Sequence, residues 1–588
     1  MKFNAIAKTT AAGAVALLIA GCGGGSGDIA TPPVVNPPAQ PPAASLQLSG
    51  TAATGLALAS ANVEVKCAEG SGTATTDASG GYTVKLEGGK LPCMIRVTGT
   101  AGGVEVTLHS VTEAGTADAA TNQTSAVANV TPLTEIVVAQ LTGGLPGAAF
   151  VAFSDTSASQ ITTEKLTTAI TTVLTALKDA SGLDFGTIDP FKAPLVAATS
   201  SAPAQGNAYD KLLDQLGAKV APEALPQLVT QVATAAASGS TAGLQDAMVA
   251  VDAGSLPNCP SVLSGKYRFV EYFGSTYVRT LNFKTMTAAR PDGTSVPITV
   301  DAAKPCEFVT VADVSGNEVK FEVAIGSAGV GAARIQNITA GRNNVAWVFP
   351  EQSHTVSELV GSWTFHQGGF MPGDGFVHWP GKLEVAADGK ASVCEYEFGA
   401  STWSTCTPDT EANLTVAART DGGVNLMDSS RVAANAWGYR APNGSLTVFA
   451  TTNAAGSSDP AVEQTVLVLF KPRTQQLPAV GSVTKYWDVS IARQFSAGPG
   501  VNNASFAADS NTIQSVDSTA STVSRKRTSD GREDTFVYNA PLDGLRFRAQ
   551  VPGMLGVYTF PLPGLGIALS VNSAASSTHL YNVSVGRP

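Results

Sequence analysis

Charge is scarce in this sequence. Asp, Glu, Lys and Arg make up 14% of its 588 residues, histidine occurs five times, and aromatic residues reach only 7%. Ala, Thr, Ser, Gly and Val must therefore form much of the surface. The net charge of −10 and a pI near 5.1 argue against a nucleic-acid partner, because a phosphate backbone selects basic faces. No serine-hydrolase elbow G-x-S-x-G, no H-E-x-x-H and no phosphate-cradling G-x-x-x-x-G-K-[ST] is present. The lack of any CxxC pair leaves a structural zinc site with little support. No catalytic residue is assigned on this basis, and the balance moves from catalysis toward binding without excluding an enzyme. The uncharged stretch Val551 to Val571 is long enough to span a bilayer. Pro552, Gly553, Gly556, Pro561, Pro563, Gly564 and Gly566 would break the helix that a bilayer demands, so buried strands with tight turns are expected there.

What is present begins at the N-terminus. Lys2 and Lys8 precede an apolar run from Ala11 to Ile19, and Leu17-Leu18-Ile19-Ala20-Gly21-Cys22 closes it with small residues before a cysteine. This resembles the lipobox of bacterial lipoproteins, which implies cleavage after residue 21, acylation of Cys22 (typically including palmitate) and a membrane-anchored mature chain. Gly23, rather than Asp, resembles the outer-membrane sorting signal of such lipoproteins. Residues 22–44 are Gly-rich and then Pro-rich, with pairs at Pro32-Pro33, Pro37-Pro38 and Pro41-Pro42. At about 3.1 Å per residue such a tether reaches on the order of 50–70 Å.

Seven cysteines less Cys22 leave an even set, Cys67, Cys93, Cys259, Cys306, Cys394 and Cys406. In an oxidising compartment these imply three disulfides. Several pairings are open; the sequential one keeps each bridge within one expected unit, with Cys394 and Cys406 facing each other across a hairpin.

The fold class expected is multidomain and mainly β with a helical insert: a small N-terminal β-sandwich, a helical region, then repeated antiparallel β barrels or sandwiches. Residues 45–110 alternate polar and apolar positions between glycine-rich breaks. Thr76-Asp77-Ala78-Ser79-Gly80-Gly81-Tyr82 supplies a turn in which Asp77 bonds the backbone and a glycine takes positive φ. The segment resembles the carboxypeptidase regulatory-like (prealbumin-like) family, an accessory module that implies no peptidase activity. Residues 111–256 show four helical patterns, starting near Pro132, before Leu166, at Ala208 and at Leu225, and Asp179 to Asp184 reads as a helix end rather than a calcium loop. From 257 the chain is β-rich, as units 257–350, 351–472 and 473–588. Leu263-Ser264-Gly265-Lys266-Tyr267 aligns with Leu359-Val360-Gly361-Ser362-Trp363, and Val480-Gly481-Ser482 opens a weaker third copy. This opening resembles the first strand of lipocalin-like (calycin) barrels.

Two constellations are candidate sites. His366 and His378 flank a glycine-rich loop carrying Asp374, and as cross-strand neighbours they would form a two-His, one-carboxylate site for a divalent metal. Arg525, Lys526, Arg527 and Arg532, with Arg546 and Arg548 further on, form a basic zone suited to an anionic glycan or a lipopolysaccharide phosphate. No other cofactor is expected.

The reading that follows is a lipid-anchored outer-membrane protein, on the periplasmic or cell-surface face, with a non-enzymatic binding, adhesive or scaffold role. Its partners would be the membrane through the N-terminal lipid, and a surface glycan or another envelope protein. The alternatives are a carrier of a small apolar molecule in a C-terminal barrel and a metal-dependent hydrolase of envelope polymer. Cys22→Ser is expected to release the chain from the membrane fraction; continued membrane association of that variant would overturn the anchor.

Overall fold

The computed structural model describes residues 44–371, 375–397, 403, 406–408, 414–452, 462–494, 503–573 and 578–588. Cys22, nearly all of the tether and Asp374 lie outside these residues. Among the described residues no helix is long and apolar enough to cross a membrane.

The N-terminal part is two four-stranded sheets. In one, Ser45–Thr51 pairs antiparallel with Gly81–Glu87 and parallel with Gln123–Val127; the other carries Asn62–Glu69 beside Lys90–Ala101. The first sheet thus continues past residue 110, because Gln123–Val127 returns to pair with the opening strand. The turn before Gly81–Glu87 forms for the reason its residues imply. Asp77 Oδ1 accepts from the Ser79 and Gly81 amides at 2.8 and 2.9 Å, and Gly80 sits at φ 79°. Tyr82 then enters the core and donates its hydroxyl to the Ala128 carbonyl.

Helical punctuation follows local chemistry. Thr131 and Thr134 form reciprocal caps on Pro132–Thr142, which ends at Gly143 with φ 57°. The helix Thr163–Ser181 ends at Gly182, and Asp184 binds Lys178 at 2.8 Å, so this segment is a helix terminus. Ala208–Lys219 and Leu225–Ser238 follow, and then Thr241–Ala253, a helix absent from the sequence reading. Its start is Ser238-Gly239-Ser240, where a helix stop and the next N-cap overlap. Helices and both sheets share one apolar core.

Three eight-stranded antiparallel barrels make up the rest. The first runs from Gly265–Glu271 to Arg342–Pro350, the second from Gly361–Met371 to Gln464–Phe470, and the third from Val483–Gln494 to Thr578–Gly586. Each is a meander whose last strand pairs with its first. In the second, Gly375–Val385 pairs with Lys390–Glu395 to complete the ring, and Thr407–Pro408 is a short extra strand beside it. The repeated opening has a physical role: Tyr267 Oη donates to the Leu263 carbonyl at 2.7 Å, and Trp363 Nε1 to the Leu359 carbonyl at 2.6 Å. In the third barrel the equivalent aromatic, Trp487, reaches Glu307 of the first barrel instead.

Disulfides join Cys67 to Cys93, Cys259 to Cys306 and Cys394 to Cys406. Cys67 and Cys93 are directly opposed across two strands, whereas Cys394 lies opposite Pro408 rather than Cys406.

The barrels are joined by apolar packing as well as by chain. Trp347 and Phe349 of the first, Trp437 and Phe449 of the second, and Tyr558, Phe560 and Tyr581 of the third belong to one buried cluster. The second barrel keeps a separate interior core that includes Trp363, Phe365, Leu383 and Leu469. Trp347 Nε1 donates to Tyr581 Oη at 2.7 Å, with both rings fully buried. Tyr581→Phe leaves that indole N–H without its acceptor, at an expected cost of about 1–3 kcal/mol. A lower urea midpoint at unchanged m-value is the expected result; an unshifted midpoint would show that this contact does not join the barrels in solution.

Candidate functional site

The third barrel is built with its apolar face outward. On Val483–Gln494 the residues Trp487, Val489 and Ile491 enter the core shared with the other barrels, while Tyr486, Asp488 and Ser490 face the lumen. Leu569 and Val571 against Ala568 and Ser570, and Val583 and Val585 against Asn582 and Ser584, repeat the pattern. Strand alternation sends successive side chains to opposite faces. Burying the outer face against two neighbours therefore leaves the inner face free to be polar. The enclosed space is about 830 Å³, within the range of roughly 300–1,000 Å³ typical of ligand sites.

Arginine dominates one side of this lumen. Arg525, Arg527, Arg532, Arg546 and Arg548 all line it. Register explains the gathering: Arg525 is directly opposite Asp534 on the neighbouring strand, and Tyr538 is opposite Arg546 on the next. Arg525 Nε donates to Asp534 Oδ1 at 2.8 Å, Arg548 Nη1 to Oδ2 at 2.6 Å, and Arg532 Nη2 lies 3.6 Å from Oδ2. One carboxylate thus serves three guanidinium groups. Burial alone would raise the Asp534 carboxyl, yet Arg525, Arg548 and Arg532 hold it below its ordinary value. Burial pulls Arg546 and Arg548 downward. Arg546 donates to Gln475 at 2.6 Å and stacks 4.5 Å over Tyr538. Arg527 is held by Asp530 at 2.5 Å and by Asp509 at 3.6 Å. Of the basic residues singled out from sequence, Lys526 alone points away, its amine 3.5 Å from exposed Glu533.

The first barrel is filled by Phe269, Tyr277, Leu281, Phe308 and Phe321, with about 20 Å³ left among them, and the described residues of the second carry an apolar core of their own. The roomy lumen of the third barrel is amphipathic: beside the arginines it is lined by Ile513, Val523, Phe536, Leu555, Val557 and Ile567.

The histidine expectation is corrected in its register, and its third expected ligand, Asp374, lies outside the described residues. The strands flanking the loop do pair, but His366 lies opposite Pro380 and His378 opposite Gly368, so the two rings meet diagonally. His366 Nε2 and His378 Nδ1 are 3.0 Å apart, a direct hydrogen bond that leaves no room for an ion between them. The ring of His579, from the third barrel, stacks on His378 with centroids 3.8 Å apart and planes 2° from parallel. Tyr272 of the first barrel is hydrogen-bonded to His579 Nε2. All three histidines are buried, and among the described residues no group of His, Cys, Asp or Glu is arranged to hold a metal. Gly368 is needed beside them, since a Cβ there would stand 2.8 Å from His366 and 3.3 Å from His378. The sequence reading missed His579 because nothing local marks it; its partners are more than two hundred residues away.

No protein-family model matches the sequence, and no curated protein matches it significantly. Solved structures that align with part of the chain include a protein of unknown function from the DUF3598 family of Nostoc punctiforme, at 10% identity and TM-score 0.14, covering 39% of this chain and 96% of that one. Transferrin binding protein B from serogroup B Neisseria meningitidis aligns at 9% identity and TM-score 0.18, covering 53% of this chain and 66% of that one. The Haemophilus parasuis protein of the same name aligns at 10% identity and TM-score 0.18, over 53% and 65%. The chain spans about two thirds of the length of these transferrin binding proteins. Similarity of this degree assigns neither architecture nor partner.

The histidine junction makes a pH prediction. Burial, then the neighbouring His579, lowers His366 to about 3, and burial with the other two histidines holds His378 well below its ordinary value. The unfolded chain takes up these protons near pH 6.5 and the native one resists them, so stability is fully present above that pH and falls below it. The slope is about 1.4 kcal/mol per pH unit for each histidine. Urea unfolding at pH 7.0 and 5.0 should differ accordingly, above the range in which most carboxylates titrate. The double variant His366→Gln, His378→Gln should flatten that slope; an unchanged slope would place the acid sensitivity elsewhere.

Proposed function

We propose that this chain is a binding protein of the bacterial cell envelope. It is held at the outer membrane by a lipid on Cys22, presents its barrels at the end of the 22–44 tether, and takes a polar ligand into the third barrel. The observation that carries this reading is the inverted third barrel. Small barrels are closed by side chains that fill them, as the first here is. The third instead keeps about 830 Å³, in which arginine, aspartate, serine and asparagine stand beside apolar residues such as Ile513, Val523 and Ile567. Desolvated guanidinium groups are costly to maintain without a partner, and a ligand that completes their hydrogen bonds recovers that cost.

The first and second barrels then have the scaffold role, positioning the third and burying its outer face. The metal-dependent hydrolase reading stands behind this one, since His366 and His378 are bonded to each other. This keeps the barrel lumen of the carrier reading and adds a polar side to its ligand, because arginines stand beside the apolar lining.

Native mass spectrometry of the full-length protein, extracted from its own membranes in mild detergent, tests the reading. A non-covalent mass excess that disappears on denaturation is expected. Ala568→Trp, which fills the lumen from its wall, should abolish it while leaving the far-ultraviolet spectrum unchanged. An excess that persists in the variant would place the ligand elsewhere, and no excess in either would overturn the lumen as a site.

A further inference from the structure

The lumen is divided by strand. Taking the third barrel in order, Arg525 and Arg527 sit on its third strand, Thr522–Arg527. Arg532 immediately precedes the fourth, Glu533–Tyr538, and Arg546 and Arg548 sit on the fifth, Arg546–Arg548. Hydroxyl and amide groups occupy the other half. Ser490 is on the first strand, Ser505 on the second, Asn503–Asp517, Ser570 on the seventh, Ile567–Asn572, and Asn582 and Ser584 on the eighth. The ring therefore has a cationic wall and a hydroxyl wall facing one space.

The cationic wall is undercompensated. Five arginines line it, against Asp509 and Asp530, which pair with Arg527, and Asp534, which is shared by Arg525, Arg532 and Arg548. Asp488 is engaged on the other wall, where it accepts from Asn582 at 3.0 Å and Ser584 at 2.6 Å. Arg548 is 8% exposed, and its Nε has no hydrogen-bond partner, as is true of Arg532 Nε. Arg548 Nη1 and Nη2 are engaged by Asp534 and the Leu555 carbonyl, so these residues offer a carboxylate or phosphate oxygen their charge and the two Nε donors. The hydroxyl wall offers alternating donors and acceptors at short spacing: Ser490 and Ser505 oxygens are 2.7 Å apart, and Thr559 and Ser570 oxygens 2.9 Å. Such a wall matches a polyol. A buried Asn582 Oδ1 without a partner adds an acceptor to it.

From this division we infer that the ligand of the third barrel is an anionic sugar, a saccharide carrying a carboxylate or phosphate. Its acid group is seated by Arg525, Arg532 and Arg548, and its hydroxyls face Ser490, Ser570, Asn582 and Ser584. The inference rests on the lumen being the ligand site and adds the chemical class of what enters it. Phe536, with Arg525 stacked 4.4 Å above its ring, holds that guanidinium against the wall, so the anion seat is pre-formed rather than assembled on binding.

Titration calorimetry on the full-length protein, after ligand removal by dialysis, tests it with four probes: a hexose 1-phosphate, a hexuronic acid, the parent hexose and inorganic phosphate. Binding of at least one anionic sugar, tenfold or more tighter than both the parent hexose and inorganic phosphate, is expected. Arg548→Gln should lower that affinity at least tenfold, and Ser570→Ala should lower it several-fold while leaving inorganic phosphate unaffected. Arg525→Gln serves as a second anion-seat variant should Arg548→Gln fail to fold. Equal binding of the neutral hexose, or affinity for the anionic sugar that survives both arginine substitutions, overturns the inference. No binding of any probe also overturns it; the mass excess and its loss in Ala568→Trp then decide separately whether the lumen holds some other polar ligand.

Discussion

A β-strand in a closed barrel has one face toward the lumen and one toward whatever lies outside. In the third barrel part of that outside is dry. Trp487, Tyr558, Phe560, Leu569, Tyr581 and Val583 are all buried against the first and second barrels. At roughly 1.5–3 kcal/mol for each large apolar side chain removed from water, that outer face supplies the apolar burial a barrel usually obtains from its interior. The interior then needs only a small apolar cluster of its own, Ile513, Val523, Phe536 and Tyr538. Arginines, serines and aspartates can line about 830 Å³ there without the barrel losing its source of stability. The polar lumen is thus a consequence of the inter-barrel core, and weakening that core would be felt at the ligand site.

The same core explains why buried polar groups concentrate at the junction. Trp347 to Tyr581, Tyr272 to His579, His366 to His378 and Tyr439 to the Ala328 carbonyl are hydrogen bonds made where barrel surfaces meet. An apolar contact between sheets tolerates sliding, whereas a buried donor with a single acceptor does not. All but the His366 to His378 bond cross between barrels and fix how they sit on one another. The histidines contribute to this only while neutral, which ties the junction to pH. The wall strand Thr578–Gly586 carries both features, with His579 and Tyr581 on the core side and Asn582 and Ser584 on the lumen side.

Much of the architecture was legible because its signals are local. Thr131-Pro132 and Gly143 mark a helix through caps that need only neighbouring residues, and Asp77 with Gly80 makes a turn by the same logic. The repeated Gly-x-aromatic opening was legible as a repeat, and its cause is a bond from the aromatic to the carbonyl four residues earlier. The helix Thr241–Ala253 was not legible, since its N-cap shares Ser238 to Ser240 with the stop of the helix before it. Arg525, Arg527 and Arg532 were visible as a basic zone, but Lys526 between them was not distinguishable until strand direction placed it outside. His366 and His378 were read as an open pair because symmetry about a loop does not specify register, and the observed register makes them diagonal neighbours.

The amino-acid sequence by itself determined where strands, helices and turns begin, how many β units there are, and which side chains alternate along each strand. Those properties follow from backbone dihedral preferences, capping and a period of two, all set within a few residues. Only the tertiary structure decided which face of the third barrel is inside. Alternation places two sets of side chains on opposite faces without saying which set meets water, and that choice was made by neighbouring barrels, the first of which ends more than a hundred residues earlier. The arginine lumen and the three-histidine junction are the two sides of that one decision.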